Sequence, residues 1–416
     1  MLTQYPLIPL ATLASVLLLI AIRNILRFKI SIWQIMCGGA AFVLLTGSIT
    51  PKDALMAVSP DVMLFLSGVF IIGAGLFKSG VLESLSNRIF SKAKNQDVFL
   101  LSFIFLTGLL SAVLMNDTVA IIAAPLAVTL SKKFRLPPEM LLLALAFSVT
   151  TGSVASPVGN PQNLLIATMS GIENPFFAFL YYLGLPTLLS LIFVYLCLRF
   201  LYREHFKDDF CTDEKREPSG FWFFDPSFLS LLILAGLILS SAVLSGYGIH
   251  IPLFSIAIIS ALPLLLFSKK RMEILREADW HTLLFFAAMF VLMQSVWNTG
   301  FFQAFFEGSG CFSFTPALTM LMGLIVSQFI SNVPFVALFM PLVLSSGAGP
   351  NVLMSLAAGS TLAGNLLLFG AASNIIIVQN AEKKGICIGF LRFAKAGVLI
   401  TGGQVVIYLL YILTIS

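Results

Sequence analysis

The sequence predicts an all-α integral membrane protein made of two inverted repeats. Each repeat would hold a re-entrant helical hairpin and a broken transmembrane helix, giving about ten full spans plus two hairpins. Three observations carry this expectation. The 416 residues are 58% hydrophobic and only 10% charged, whereas a soluble domain carries about 25% charge. The mean hydropathy is +0.99. Finally, the chain says the same thing twice. Residues 111–125, SAVLMNDTVAIIAAP, and 327–341, SQFISNVPFVALFMP, each place an Asn-led polar step nine residues before a Pro (Asn116 to Pro125, Asn332 to Pro341). Residues 60–80 match 280–300 at a constant offset of 220.

The elements follow in order. Apolar spans are expected at about 7–26, 30–50, 61–82, 98–131, 139–170 and 176–202, then at 226–246, 250–268, 280–300, 313–345, 350–380 and 386–414. The first apolar run has no basic residues before it. Arg23, Arg27 and Lys29 come after it, so it reads as a first span and not as a cleaved signal. Residues 1–202 form the first repeat, 203–225 a charged linker, and 226–416 the second repeat.

Basic residues set the expected topology. On this reading, 23 of the 24 Lys and Arg fall on one side or at its interface, and only Lys52 falls on the other. The positive-inside rule makes the rich side cytoplasmic. The linker and basic loops would then be cytoplasmic and both termini outside, in the cell membrane (the inner membrane where there are two). An odd number of crossings in the first half turns the second half upside down. The net charge of +5 is thus a matter of topology and points to no nucleic acid partner.

Segment 98–131 has 34 residues and one charge, Asp117. As a single helix it would be about 51 Å long, too long for one crossing. Two shorter helices joined at Asn116–Asp117 fit better, either as two short spans or as a hairpin whose tip stops within the membrane. The twin segment 313–345 favours the hairpin, because its tip, Ser331-Asn332-Val333-Pro334, carries no charge. A helix entering such a tip ends in free carbonyls that suit a cation. The helix leaving it begins with free N–H groups that suit an anion. Asn116 and Asn332 read as N-caps, and Pro334 is tolerated in a first turn.

Segment 139–170 is interrupted by TTGSVASPVGNPQN, with Pro157 and Pro161 each removing a helical hydrogen bond. Segment 350–380 has Gly364, Asn365, Gly370, Ser373 and Asn374 but no internal proline, so a milder distortion is expected. Unwound backbone at membrane depth survives only when buried in protein or lining a cavity. Asp117 is the only carboxylate in these breaks. Its candidate roles are cation ligand, proton carrier, or first-turn charge at a helix N-terminus. Gln294, Gln328 and Gln404 read as interhelical hydrogen-bonding residues.

Cys37, Cys197, Cys211, Cys311 and Cys387 are scattered, and His205, His250 and His281 fall in loops or at helix ends. Neither a metal cluster nor a nucleophile–base pair is spelled out, which argues against an enzyme. Duplicated units with polar breaks inside membrane-length apolar runs point instead to a secondary transporter.

At these residues the chain resembles the ion-transporter superfamily of secondary carriers. The nearest branch is similar to the arsenite-permease, sodium–proton-antiporter and citrate-transporter group, with divalent-anion/sodium symporters as distant relatives. The resemblance rests on Asn116-Asp117-Thr118 and Ser331-Asn332-Val333 at the tips. It rests equally on Gly159-Asn160-Pro161-Gln162-Asn163 and Gly370-Ala371-Ala372-Ser373-Asn374 at the breaks. It implies a homodimer and an elevator-like movement of a transport domain, 97–202 plus 312–416, against a scaffold, 1–94 plus 226–300. It implies cation or proton coupling sites at Asn116, Asp117 and Gly159 and at Asn332 and Gly370. The solute would lie among Asn116, Asp117, Thr118, Asn160, Asn163, Ser331, Asn332, Ser373 and Asn374. Met115, Val333 and Pro334 depart from the symporter pattern, as does GNLLLF at 364–369. With hydroxyls missing from the second tip, the coupling chemistry is expected in the first copy, at Asp117. The expected function is secondary active transport of a small inorganic or carboxylate anion, coupled to Na⁺ or H⁺ with no other cofactor. The alternative is a cation/proton antiporter or arsenite efflux permease. A membrane-embedded enzyme or a channel is the weaker reading.

Overall fold

A computed structural model describes residues 7–22, 30–90, 93–207, 225–244, 247–249, 251–301, 304 and 314–415. Most of the charged linker lies outside these residues, as do Arg23, Arg27, Lys29, Lys92, Cys211, His250 and Cys311. Every regular element among the described residues is a helix. The first repeat contributes α1 (Leu7–Ile22), α2 (Ile32–Leu45), α3 (Pro51–Ala57), α4 (Pro60–Ser79) and α5 (Val81–Phe90). It continues with α6 (Gln96–Leu114), α7 (Asn116–Lys133), α8 (Pro138–Ser153), α9 (Pro161–Met169) and α10 (Pro175–Leu201). The second repeat contributes α11 (Pro226–Leu244), α12 (Leu253–Phe267), α13 (Arg271–Glu277), α14 (Trp280–Trp297) and α15 (Pro316–Ile330). Then come α16 (Asn332–Ser345), α17 (Pro350–Leu366), α18 (Ala372–Glu382) and α19 (Phe390–Ile415).

Helices start where the sequence supplies a cap. Side-chain oxygens of Ser59, Asn95, Asp279 and Thr315 accept from the backbone N–H three residues on, at the heads of α4, α6, α14 and α15. Gly80 and Gly300, related by the 220 offset, both take left-handed φ (69° and 71°) just after α4 and α14. Only a residue without Cβ does this freely. Three short helices went unread in the sequence: α3, α5 and α13 are too short and too charged to register as spans.

Packing repeats the duplication. α4 lies on α12 as α14 lies on α2, and α6 lies on α8 as α15 lies on α17. The short helix α13 leans on α4, and α3 leans on α14. Each hairpin's outgoing arm also crosses over: α7 packs on α18 and α16 packs on α9. This exchange is what a two-fold relation between the repeats requires, and it sets each outgoing arm against the opposite repeat.

Small residues set the helix separations. A Cβ on Gly152 would fall 2.1 Å from the Gly108 carbonyl oxygen, locking α8 onto α6. A Cβ on Gly359 would fall 2.3 Å from the Met320 carbonyl, locking α17 onto α15. Side-chain amides brace the repeats together. Asn365 Nδ2 donates to Thr151 (3.1 Å) and Gln404 (2.9 Å), and Gln404 Nε2 donates to Thr151 (2.7 Å). Gln328 reaches from α15 to the Ala363 carbonyl of α17 within the second repeat at 2.7 Å, and Gln294 bonds to Asn298 at the end of its own helix.

The outside is apolar. Leu229, Leu232, Leu239 and Val243 of α11 and Leu399, Val406, Leu410 and Leu413 of α19 are exposed. So extensive an apolar surface belongs in lipid. Among the described residues, six helices are long and apolar enough to cross a membrane alone: α4, α6, α10, α11, α14 and α19.

Candidate functional site

The two hairpin tips share one backbone conformation. α6 turns into α7 through Met115 alone (φ 72°, ψ 139°), and α15 turns into α16 through Ser331 alone (φ 74°, ψ 148°). Positive φ is rare for residues that carry a Cβ. Among the described residues only Arg135 joins these two. The turning residue also takes the N-cap position, so Asn116 and Asn332 sit one place inside their helices, where the sequence predicted them as caps. The Asn116 Oδ1 accepts from the N–H of Asp117 at 2.9 Å. Its own N–H donates to the Gly159 carbonyl at 2.9 Å, tying the first tip to the first break.

Both apolar runs after the hairpins are broken. Between α8 and α9 the chain leaves the helix at 154–160. Between α17 and α18 it does so at 367–371, around a 3₁₀ turn at Leu368–Gly370. The proline-free break is therefore shorter, yet it is a full break. Gly370 makes it possible, since a Cβ there would fall 2.6 Å from the Ala363 carbonyl. Gly159 serves the first break in the same way, 2.3 Å from the Ser153 carbonyl.

The break asparagines are fasteners. Asn163 Nδ2 donates to the carbonyls of Ser153 (3.1 Å) and Ser156 (3.0 Å), and its Oδ1 accepts from Thr361 (3.2 Å). Asn160 Oδ1 accepts from the Asn163 N–H (2.8 Å), and its Nδ2 donates to Ser153 Oγ (3.2 Å) and Thr361 Oγ1 (3.1 Å). Thr361, which the sequence reading passed over, is the hub where the second repeat grips the first break. Its counterpart Thr150, 211 residues earlier, lies against Gly364 in the last turn of α17, ahead of the second break. Asn374, the counterpart of Asn163, donates to the Gly364 carbonyl at 2.7 Å.

The two copies differ in what is left over. In the first break the carboxamides of Asn160 and Asn163 are fully engaged. In the second copy, Gln328 Oε1, Asn332 Oδ1, Ser373 Oγ and Asn374 Oδ1 are buried without a hydrogen-bond partner. These unspent groups are oxygens, because the amide nitrogens of Gln328 and Asn374 are already fixed on the carbonyls of Ala363 and Gly364. Buried polar atoms without partners are costly and mark a strain reservoir or a ligand position. Ser331, by contrast, is exposed at its tip.

Asp117 and Thr118 line a cavity of about 350 Å³ with Phe70, Gly73, Pro161 and Ala372. Asp117 is the only carboxylate in the polar breaks, as the sequence showed, and Glu277 and Asp279 join it in this cavity from outside them. They come from the junction of α13 and α14, and the signal was available: Asp279 precedes Trp280 as the capping Ser59 precedes Pro60. The three carboxylates do not form a set able to hold a metal ion. The Asp117 side chain faces the Ser373 N–H in the opposite repeat. The Thr118 methyl would lie 2.5 Å from a Cβ on Gly73, so α7 meets α4 at glycine backbone.

Paired hairpins, paired broken helices and an exchanged packing between repeats define a secondary transporter of the bilayer. The family profile described as citrate transporter (CitMHS) matches residues 16–352, and the chain belongs to that family. It is 26% identical over 393 residues to an uncharacterized transporter of Mycobacterium tuberculosis, covering 90% of this chain and 91% of the relative. It is 25% identical over 414 residues to an uncharacterized transporter of Synechocystis, covering 90% of each. A putative transporter, arsB, of Dictyostelium discoideum is 29% identical over 135 residues, 32% of this chain and 24% of that protein. In fold the chain is similar to the YdaH transporter of Alcanivorax borkumensis (TM-score 0.58, 15% identity, 98% of each chain). It is also similar to MtrF of Neisseria gonorrhoeae (TM-score 0.56, 14% identity, 97% of this chain and 94% of that one).

Proposed function

We propose that this multi-pass membrane transporter moves a small inorganic or carboxylate anion, coupled to Na⁺ or H⁺, by alternating access of elevator type. The observation that carries the reading is the pair of tips with one backbone conformation, each delivered by exchanged packing to the opposite repeat beside buried, partly unpaired polar groups. Four helices, α7, α16, α9 and α18, begin there, and helix N-termini favour negative charge. The unpaired oxygens at Gln328, Asn332, Ser373 and Asn374 suit a coupling cation. On this reading Asn332 and Gly370 bound the cation's place in the second copy, with Asn116, Asp117 and Gly159 as the first-copy candidate. The packing of α4 on α12 and of α6 on α8 supports a division into a scaffold (1–94 plus 226–300) and a transport domain (97–202 plus 312–416). The orientation we propose keeps the basic loops and linker cytoplasmic and both termini outside, in a homodimer.

A second reading is favoured by one feature: the cavity beside the first tip is lined by Asp117, Glu277 and Asp279 and by no cationic residue. That lining suits a cation/proton antiporter or arsenite efflux permease better than a bare anion. Proteoliposomes loaded with a panel of labelled anions, under separate Na⁺ and H⁺ gradients, decide between them. Anion uptake driven by either gradient supports the first reading. No anion uptake, with arsenite resistance conferred on cells lacking their own pumps, supports the second.

A further inference from the structure

The two broken helices restart differently. α9 begins behind Asn160, whose Oδ1 accepts from the Asn163 N–H at 2.8 Å. α18 begins behind Ala371, the residue 211 positions after Asn160, and Ala has no side-chain acceptor. The N–H groups of a helix's first turn need partners from outside the helix. Ala372 faces the cavity, but Ser373 and Asn374 are shut off from water, at 0% and 1% exposed.

The hairpin tips differ in the complementary sense. The first carries Asp117, while the residue 216 positions later in the second tip is Val333. Because α7 packs on α18 and α16 packs on α9, the tip that carries the carboxylate meets the helix that lacks a cap. The tip with Val333 meets the helix that already has one. Asp117 and Ala372, the first residue of α18, line the same cavity, and the N–H of Ser373, the second residue, faces the Asp117 side chain. An N-cap side chain normally serves the N–H groups of the second or third helical residue.

We infer that Asp117 is the N-cap of α18, supplied in trans by the opposite repeat, and that it positions the second break against the first tip. Ala371 standing where the first copy has Asn160, and Asp117 standing where the second copy has Val333, compensate each other across the pseudo-two-fold. A carboxyl oxygen offered in trans serves the first turn of α18 as the Asn160 carboxamide oxygen serves that of α9. No cation among the cavity-lining residues competes for it, since its charged neighbours there are Glu277 and Asp279. Asp117 is thereby a positioning residue for Ser373 and Asn374. In transport, the first tip and the second break travel as one piece. That consequence rests on the proposed transport reading, whereas the cap itself does not.

The test is amide hydrogen exchange over residues 372–382 of the full chain in lipid nanodiscs, at fixed pH. Asp117→Val, which copies the second tip, is expected to speed exchange of the first-turn amides about tenfold, the scale of a lost cap. Asp117→Asn keeps an acceptor and should fall between wild type and Asp117→Val. Adding Ala371→Asn to Asp117→Val should return protection to within about twofold of wild type, because it restores the cap used by α9. Unchanged exchange in Asp117→Val, or no recovery with Ala371→Asn, overturns the inference. If Asp117→Val does not fold, recovery of folded protein by Ala371→Asn supports it and continued failure overturns it. The double variant should also recover gradient-driven uptake, and uptake still absent while α18 is protected overturns positioning as the role. A wild-type chain that moves no anion in the same vesicles counts against the anion reading and leaves the exchange result standing.

Discussion

Single side chains decide whether the breaks hold. Asn163 is bonded through every polar atom of its carboxamide, to two or more carbonyls and to Thr361. Asn163→Ala leaves those carbonyls unpaired in a buried site and is expected to cost about 3 kcal/mol, read as a lower thermal midpoint in detergent. Asn374 donates to one carbonyl, so Asn374→Ala should cost less, about 1–2 kcal/mol. Equal losses would show that the two breaks are fastened alike. Ser331 gives the opposite sign. It is exposed, so removing its side chain forfeits little packing, and its φ of 74° is relaxed by glycine. Ser331→Gly should therefore stabilise by about 1 kcal/mol. The same change at Met115 mixes relief with lost packing, because Met115 is 1% exposed.

At the scale of elements, glycines set the distances between helices and ion pairs anchor the short ones. Gly359→Ala puts a Cβ 2.3 Å from the Met320 carbonyl and must push α17 off α15, at about 1–3 kcal/mol. Gly402→Ala, where nothing lies within 4 Å, is the matched control in a helix and should be neutral or mildly stabilising in the same melt. Lys78 on α4 holds α13 through Glu273 (2.7 Å) and Glu277 (2.9 Å). The Lys78 ammonium keeps the Glu273 carboxyl below the usual carboxylate range. A lowered carboxylate pKa means the folded state binds its proton less readily than the unfolded chain does. The contribution is therefore complete above the ordinary Glu pKa and is lost as pH falls through the lowered one. Proteolysis at α13 should rise under that acid condition, and Lys78→Met should show the same cleavage at neutral pH with no further acid dependence from this pair.

At the scale of the molecule, the proposed elevator requires α7 to slide past α4. Their contact is at Gly73, whose added Cβ would lie 3.6 Å from the Thr118 Cβ, inside the range for a disulfide. Gly73→Cys with Thr118→Cys should cross-link under oxidation and stop transport, and reduction should restore it to the level of the unoxidised pair. Full transport with the cross-link formed would sink the elevator reading. The polar brace of Thr151, Asn365 and Gln404, by contrast, lies wholly within the proposed moving body and should stay closed throughout the cycle.

Much of this architecture was legible in the chain. Composition placed it in a bilayer, because a chain with so little charge cannot cover itself in water. The Asn-to-Pro spacing located both hairpins, and Pro157, Pro161 and the glycines located the breaks, because these residues act on the backbone locally. What the sequence left open depends on neighbours far away in the chain. Whether Asn160 and Asn163 face a solute or fasten a break is decided by Thr361, about two hundred residues on. Whether Asp117 stands alone is decided by Glu277 and Asp279, brought to it by the packing around α4. The sequence by itself determined the membrane, the duplication and the places where helices fail. Only the tertiary structure decided which polar atoms are spent and which remain free, because hydrogen-bond partners across a two-fold exchange leave no local pattern to read.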